Sequence, residues 1–263
     1  MEPFRGRSAL ITGAASGIGA ALAAGLRSRG ATVITTDVEG EVDRHLDVRD
    51  LDAFRTLAAD IGVPDLLFVN AGISMGGPTH ELTRAHWDQI IDVNVNGVIN
   101  GILTVYPGMM ERGSGHIVAT ASGAGLAAPP FVTPYATTKH AVVGLALGLR
   151  PEAALHGVRV SVLCPGAVET PILDRLPPDH LPRTATTPVT AREYLSLLKQ
   201  KPVDADRFAR LALNAVERNR AIIVVPARAR TLWYLNRLSP TLVGYITTSL
   251  ARRVDRVLLS GGT

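Results

Sequence analysis

A short apolar run that ends in a glycine cluster, with an alanine-rich stretch directly behind it, restricts this chain more than any other feature. The segment reads Ser8-Ala-Leu-Ile-Thr12-Gly13-Ala-Ala-Ser16-Gly17-Ile18-Gly19, followed by Ala20-Ala-Leu-Ala-Ala-Gly-Leu-Arg27. Alanine and leucine favour helix, and the apolar run favours a buried strand. Strand, glycine turn and helix N-terminus together form a phosphate-binding arrangement. Unpaired N–H groups and the positive end of the helix dipole face the anion, and glycine lets the backbone approach closely. The spacing is Gly-x-x-x-Gly-x-Gly, not the G-x-G-x-x-G fingerprint. Glycines that only turn the chain are the competing reading of this loop taken alone.

Further along, strand-like runs alternate with helical ones. Strands are expected at 9–12, 32–36, 44–48, 66–70, 116–121, 159–164 and 222–225, with long helical stretches at 83–111 and 135–149. This alternation predicts an α/β fold, a doubly wound parallel sheet of about seven strands with helices on both faces. Ligands of such sheets bind beyond the carboxyl ends of the strands, at the switch point. Thr12, Asn70, Ser122 and Cys164-Pro165 all fall at expected strand ends. With 263 residues, 46% of them hydrophobic, and no Ser/Gly/Pro-rich linker between the motifs, one large domain is expected over 1–225. A helical extension of the same domain follows at 226–263. Two local features stand out. The link from Asp37 to Asp47 leaves room for a turn but not a helix, and Pro151 predicts a kink or an early helix end near Leu149.

The second chemical signal is Pro134-Tyr135-Ala-Thr-Thr-Lys139, thirteen residues after Ser122. On a helix the tyrosine and lysine share one face, one turn apart. An ammonium near a phenol favours phenolate and draws its proton exchange toward neutral pH. A hydroxyl from a neighbouring strand end can then hold a substrate oxygen. Tyr-x-x-x-Lys alone is common, and it gains weight only beside the glycine loop.

Loop and pair together resemble the classical short-chain dehydrogenase/reductase family. Thr12, Gly13, Gly17 and Gly19 match its glycine motif, and Asn70-Ala71-Gly72 matches its Asn-Ala-Gly motif. Asn94, in Asp92-Val-Asn-Val-Asn-Gly97, matches its helix asparagine. Ser122, Tyr135 and Lys139 match its catalytic residues, and Pro165-Gly166-Ala-Val168-Glu-Thr170 its carboxamide-contacting segment. The resemblance spans about residues 6 to 225. It implies a nicotinamide cofactor and reversible hydride transfer between a secondary alcohol and a ketone. Tyr135 is then acid and base, and Ser122 the donor to the carbonyl oxygen. Lys139 lowers the tyrosine pKa and holds the nicotinamide ribose, while Asn94 anchors a water that links Lys139 to solvent. Ser16 and Ile18 join the cofactor-binding set, and Asp47-Val48 matches the adenine-contacting pair. The family also implies a homo-oligomer, a dimer or tetramer.

Asp37 closes the second strand about 20 residues beyond the glycine loop, where a carboxylate accepts hydrogen bonds from the adenosine ribose and repels a 2′-phosphate. Val38 and Ser16 stand where NADP-preferring relatives carry a basic residue, so NAD is favoured and an NADP-dependent carbonyl reductase is the alternative. A non-catalytic nicotinamide-binding protein or a membrane-surface scaffold is the reading from a different class. Intact Asn94, Ser122, Tyr135 and Lys139 argue against the first, since a sensor has no need of the tyrosine.

Residues 171–203 correspond to a lid. Ile172, Leu173, Leu176, Leu181, Tyr194, Leu197 and Leu198 offer it apolar contacts. Met75, Leu126, Pro129, Pro130 and Phe131 flank the catalytic strand ends. Together they point to a hydrophobic alcohol or ketone as substrate. Ser239-Pro240 marks a helix start, and Leu242, Ile246, Leu250, Val254 and Leu258 recur every fourth residue among Arg252, Arg253 and Arg256. This amphipathic basic helix docks on the body, on a neighbouring subunit or on an anionic membrane. Net charge is +4, but the arginines are not interleaved with aromatic residues and no nucleic-acid partner is expected. The histidines lack metal-ligand spacing. Cys164 cannot form an internal disulfide, and Met1-Glu-Pro-Phe-Arg-Gly-Arg lacks a secretory core, which fits a cytoplasmic protein with possible peripheral membrane contact.

Overall fold

A computed structural model describes residues 4–186 and 189–259. The Met1-Glu-Pro start, residues 187–188 of the expected lid and the side chain of Leu258 lie outside the described residues. Seven strands form one parallel sheet: β1 Ser8–Thr12, β2 Thr32–Asp37, β3 Arg44–His45, β4 Leu66–Val69, β5 Gly115–Thr120, β6 Val158–Pro165 and β7 Ile222–Val225. Their order is β3-β2-β1-β4-β5-β6-β7. The chain reverses direction across the sheet between β1 and β4, and this opens the crevice in which such folds bind ligands.

Alternate strand residues feed two cores. Leu10, Leu67, Val69, Ile117 and Val160 pack on one side, against Phe54 of α2 (Leu51–Ile61), Val105 and Met109 of α4 (Gly97–Arg112) and Val142 of α5 (Thr133–Ala154). Ala9, Ile11, Leu66, Phe68 and Leu163 pack on the other, against Leu22 and Leu26 of α1 (Gly17–Arg27) and Phe208 and Leu213 of α7 (Ala205–Glu217). Burial on both faces explains why the central strands read as continuous apolar runs.

Some expectations need correction. β3 stops at His45, because the chain leaves the sheet edge to bury Leu46 and Val48 in the core and to start α2 on an Asp50 cap. The 83–111 stretch is α3 (Arg84–Ile91) joined to α4 by a π-helical turn over Asp92–Asn96. Pro151 does not end α5, which continues to Ala154. The proline sits in the last turn and forfeits a single hydrogen bond, to the carbonyl of half-exposed Leu147. Arg150 then fastens this end, donating to the Val160 carbonyl and to the Asn219 side chain (3.0 Å) and carbonyl (2.8 Å).

The link after β2 holds no helix, as expected. Asp43 folds back instead, and its carboxylate accepts from the amide (2.9 Å) and hydroxyl (2.7 Å) of Thr35. Beyond β7, α8 (Ala229–Leu238) and α9 (Pro240–Val254) form a hairpin joined through Ser239, whose hydroxyl accepts from the Leu242 amide. The short helix α6 (Ala191–Leu197) lies in the lid segment between β6 and α7.

Candidate active site

A cleft of about 1420 Å³ opens at the carboxyl ends of the strands. Its floor begins at the β1–α1 loop. Gly13 and Gly17 have φ of +66° and +56°, the left-handed region that disfavours side chains. A Cβ on Gly19 would lie 2.1 Å from the Gly13 carbonyl oxygen, so only hydrogen fits there. Ser16 precedes α1 without capping it through its side chain, which leaves the first amides of the helix for a ligand.

The loop is fastened from behind. Asn70 donates its side-chain amide to the carbonyls of Thr12 (3.1 Å) and Gly13 (3.0 Å), and the Thr12 hydroxyl accepts from the amides of Asn70 and Ala71. The Asn70 side chain is thereby committed to shaping the loop. Asp37 accepts from the amides of Ala15 (3.1 Å) and Val38 (2.8 Å) at the cleft edge. The Asp47 carboxylate is clasped by Arg49, which holds it below its usual pKa. Val48 is buried, and a Cβ on Gly97 would strike its side chain at 2.6 Å. A glycine backbone that accepts no substituent and a free helix N-terminus fit a dinucleotide, with Gly13, Ser16, Gly17, Ile18 and Gly19 under its phosphates.

The titratable groups line the same cleft. Ser122 lies just past β5 and Tyr135 and Lys139 on the first turns of α5. Ser122 Oγ accepts from the Ala124 amide at 3.1 Å. Lys139 is buried, donates to the Thr120 carbonyl at 3.1 Å, and places Nζ 5.7 Å from the centre of the Tyr135 ring. Burial pulls its ammonium down to about 8. Burial also pushes the Tyr135 phenol above its ordinary value, with hydrogen bonding to Ser122 pulling the other way. Burial is the largest influence on Tyr135 in this structure. Cys164 lies close enough to feel Lys139, yet burial raises its thiol to about 12 and keeps it protonated.

Among the expected catalytic and cofactor-binding residues, Asn94 alone does not line the cleft. It is fully buried in the π-helical turn, where its side chain accepts from the Ile73 amide (2.8 Å) and donates to the Ile73 carbonyl (2.9 Å) and Thr138 hydroxyl (3.0 Å). A Cβ on Gly72 would lie 3.1 Å from both Asn94 Oδ1 and Lys139 Nζ, so this glycine keeps the space between them clear. Pro165, Gly166, Val168 and Thr170 continue the wall. Val168 pairs with Val203, and the Thr170 hydroxyl donates to the Val168 carbonyl.

The rest of the cleft is mostly apolar. Of the expected lid contacts, Ile172, Leu173, Tyr194 and Leu198 line it; Leu176, Leu181 and Leu197 do not. Leu181 packs instead with Met75 and Ile90. Leu126 belongs to the core beneath α5 rather than the cleft. Sequence reasoning did not assign Leu232, Trp233, Thr247 or Val254 to this wall, nor Thr120, whose buried hydroxyl has no partner among the described residues. Ile246, Leu250 and Val254 of the amphipathic helix reach it, so that helix docks on the body. The buried histidines are locally bonded, His86 to Thr83 and His116 to Ser161, and the described residues hold no cluster able to bind a metal ion.

A doubly wound parallel sheet with a glycine cradle and a Ser, Tyr, Lys wall at its switch point defines a nicotinamide-dependent oxidoreductase. Residues 7–180 match the model of the short chain dehydrogenase family, and the chain belongs to that family. An oxidoreductase of Listeria innocua is 34% identical over 230 residues, covering 79% of this chain and 89% of the relative. A D-beta-hydroxybutyrate dehydrogenase of Rhizobium meliloti is 30% identical over 237 residues, 79% of this chain and 90% of the relative. A short-chain dehydrogenase/reductase from Burkholderia phymatum, solved in complex with NAD, superposes with a TM-score of 0.81 at 31% identity. It covers 92% of this chain and 96% of its own.

Proposed function

We propose that the protein is an NAD-dependent oxidoreductase that interconverts a hydrophobic secondary alcohol and its ketone. The observation that carries this reading is that Ser122, Tyr135 and Lys139 line the same cleft as a glycine loop with no room for a side chain at Gly13 or Gly19. Gly13 to Gly19 hold the diphosphate and Lys139 the nicotinamide ribose, while Val168 and Thr170 orient the carboxamide. A nicotinamide held there would supply hydride exchange with the carbinol carbon. Tyr135 Oη takes the hydroxyl proton during oxidation and gives it back during reduction. Ser122 Oγ donates to the same oxygen as negative charge develops on it. Asn94 braces Ile73 and α5 behind Lys139 and anchors the water that relays its protons.

NAD is preferred over NADP on charge. Asp37 and Glu39 both line the ribose end, while Arg49 is paired with Asp47 and Arg175 with Glu39, so neither arginine is free for a 2′-phosphate. Apolar walls from the lid and from α8 and α9 support a bulky hydrophobic substrate. Exposed Leu103 on α4 and Leu147 on α5 support a homo-oligomer through that face. A free, buried Cys164 fits a reducing, cytoplasmic setting. The test is Tyr135→Phe, assayed for turnover and for NAD binding by fluorescence titration. Turnover is expected to vanish while binding survives. Near-normal turnover would refute the assignment.

A further inference from the structure

The α8–α9 hairpin presents a surface that the reaction does not use. Tyr234, Leu238, Leu242 and Tyr245 sit around its tip, with Leu238 85% and Tyr245 73% exposed. Half of the large apolar side chains exposed among the described residues fall within 232–257, so the patch is not ordinary surface scatter. Arginines flank it. Arg230, Arg237, Arg252, Arg253 and Arg256 are exposed and form no ion pair among the described residues. Residues 226–259 carry six arginines against the single acid Asp255. The patch also runs into the cleft: Leu232 and Ile246 are 44% and 46% exposed and line its wall as well.

We infer that this hairpin docks the enzyme on an anionic lipid surface, tip residues in the interface and arginines on the headgroups. The cleft mouth then faces the phase in which an apolar alcohol dissolves. Tyrosine and leucine partition into the headgroup–acyl boundary, and cationic side chains add electrostatic attraction. A second copy of the chain is the rival occupant, but a two-fold contact would set unpaired arginines against arginines with one acid per chain to offset them. No helix among the described residues is long and apolar enough to cross a membrane, so the contact is peripheral. The docking itself stands apart from the chemistry in the cleft, and only the orientation toward an apolar alcohol rests on the proposed substrate.

The test is sedimentation of the full chain with vesicles of phosphatidylcholine alone, or with equal parts of phosphatidylglycerol. Binding is expected only to the anionic vesicles and is released by high salt. Arg252→Glu/Arg253→Glu lowers the partition coefficient by roughly thirtyfold or more, counting each lost arginine at about 1 kcal/mol. Leu238→Ser/Tyr245→Ser lowers it independently of salt. All four positions are exposed and outside the cleft, so circular dichroism and NAD affinity should match wild type in both variants. Equal recovery in the supernatant with both vesicle types would overturn the proposal. So would a solution dimer dissociated by Leu238→Ser/Tyr245→Ser, which would assign the face to a second copy.

Discussion

The two halves of the cleft are built by opposite means. On the glycine side, backbone faces the ligand and the tolerances are steric: Gly19 has no room for a methyl group, and Asn70 and Thr12 lock the loop with four hydrogen bonds. On the lid side, interchangeable apolar side chains face the ligand. The segment is tied down by exposed ion pairs, Arg192 with Glu169 and Arg175 with Glu39, by the bond of Thr186 to Glu81, and by Leu181 packed on Met75 and Ile90. Exposed pairs of this kind contribute little, because solvent screens them. A shared cofactor therefore maps onto the side that cannot vary, and a particular substrate onto the side that can.

The sharpest way to separate the halves is at the wall between them. Tyr135→Phe should cut turnover about a thousandfold or more while leaving NAD affinity intact, measured by initial rates and fluorescence titration. Gly19→Ala should do the reverse. The methyl group displaces the Gly13 carbonyl, and calorimetry should record NAD affinity falling about a hundredfold, whichever alcohol is offered. Equal NAD affinity in that variant would break the contrast.

A smaller effect tests the scaffold that carries both halves. Burial and repulsion from Arg159, Arg150 and Arg7 hold His116 at about 3, below its ordinary 6.5. A histidine with a depressed folded pKa contributes stability that is full above about pH 6.5 and lost as pH falls toward 3, because the unfolded chain binds the proton first. Between about pH 7 and pH 5 this group should cost about 2 kcal/mol, read from urea unfolding. His116→Gln should flatten that slope. On the lid side, Leu250→Ala should raise KM for a bulky alcohol about tenfold and leave KM for NAD unchanged.

This contrast also explains what could be read from the sequence. The glycine side was legible because rigid backbone needs particular residues at fixed spacing, and Gly13, Gly17, Gly19 and Asn70 can hardly be anything else. The lid side was legible only in part: Ile172, Leu173, Tyr194 and Leu198 line the cleft, while Leu176, Leu181 and Leu197 do not. Helix α9 shows apolar residues on more than one face, and the every-fourth-residue series Leu242, Ile246, Leu250, Val254 mixes exposed and inward positions. Val243 is buried and Leu242 half exposed, an offset of one residue that periodicity alone does not fix. Pro151 misled for a local reason, since a proline in a last turn removes little and Arg150 restores the anchorage. The Tyr135 environment depends on burial, which becomes visible only when the lid and α5 are placed around it.

The central claim is that the Ser122, Tyr135 and Lys139 wall works on a nicotinamide seated in the glycine cradle. It is tested most directly by following reduced-nicotinamide absorbance with NAD across a series of hydrophobic secondary alcohols, wild type beside Tyr135→Phe. The account predicts steady NADH formation with at least one bulky alcohol in the wild type and none in the variant. Equal rates in the two proteins, or no reduction with any alcohol although NAD binds, would contradict it.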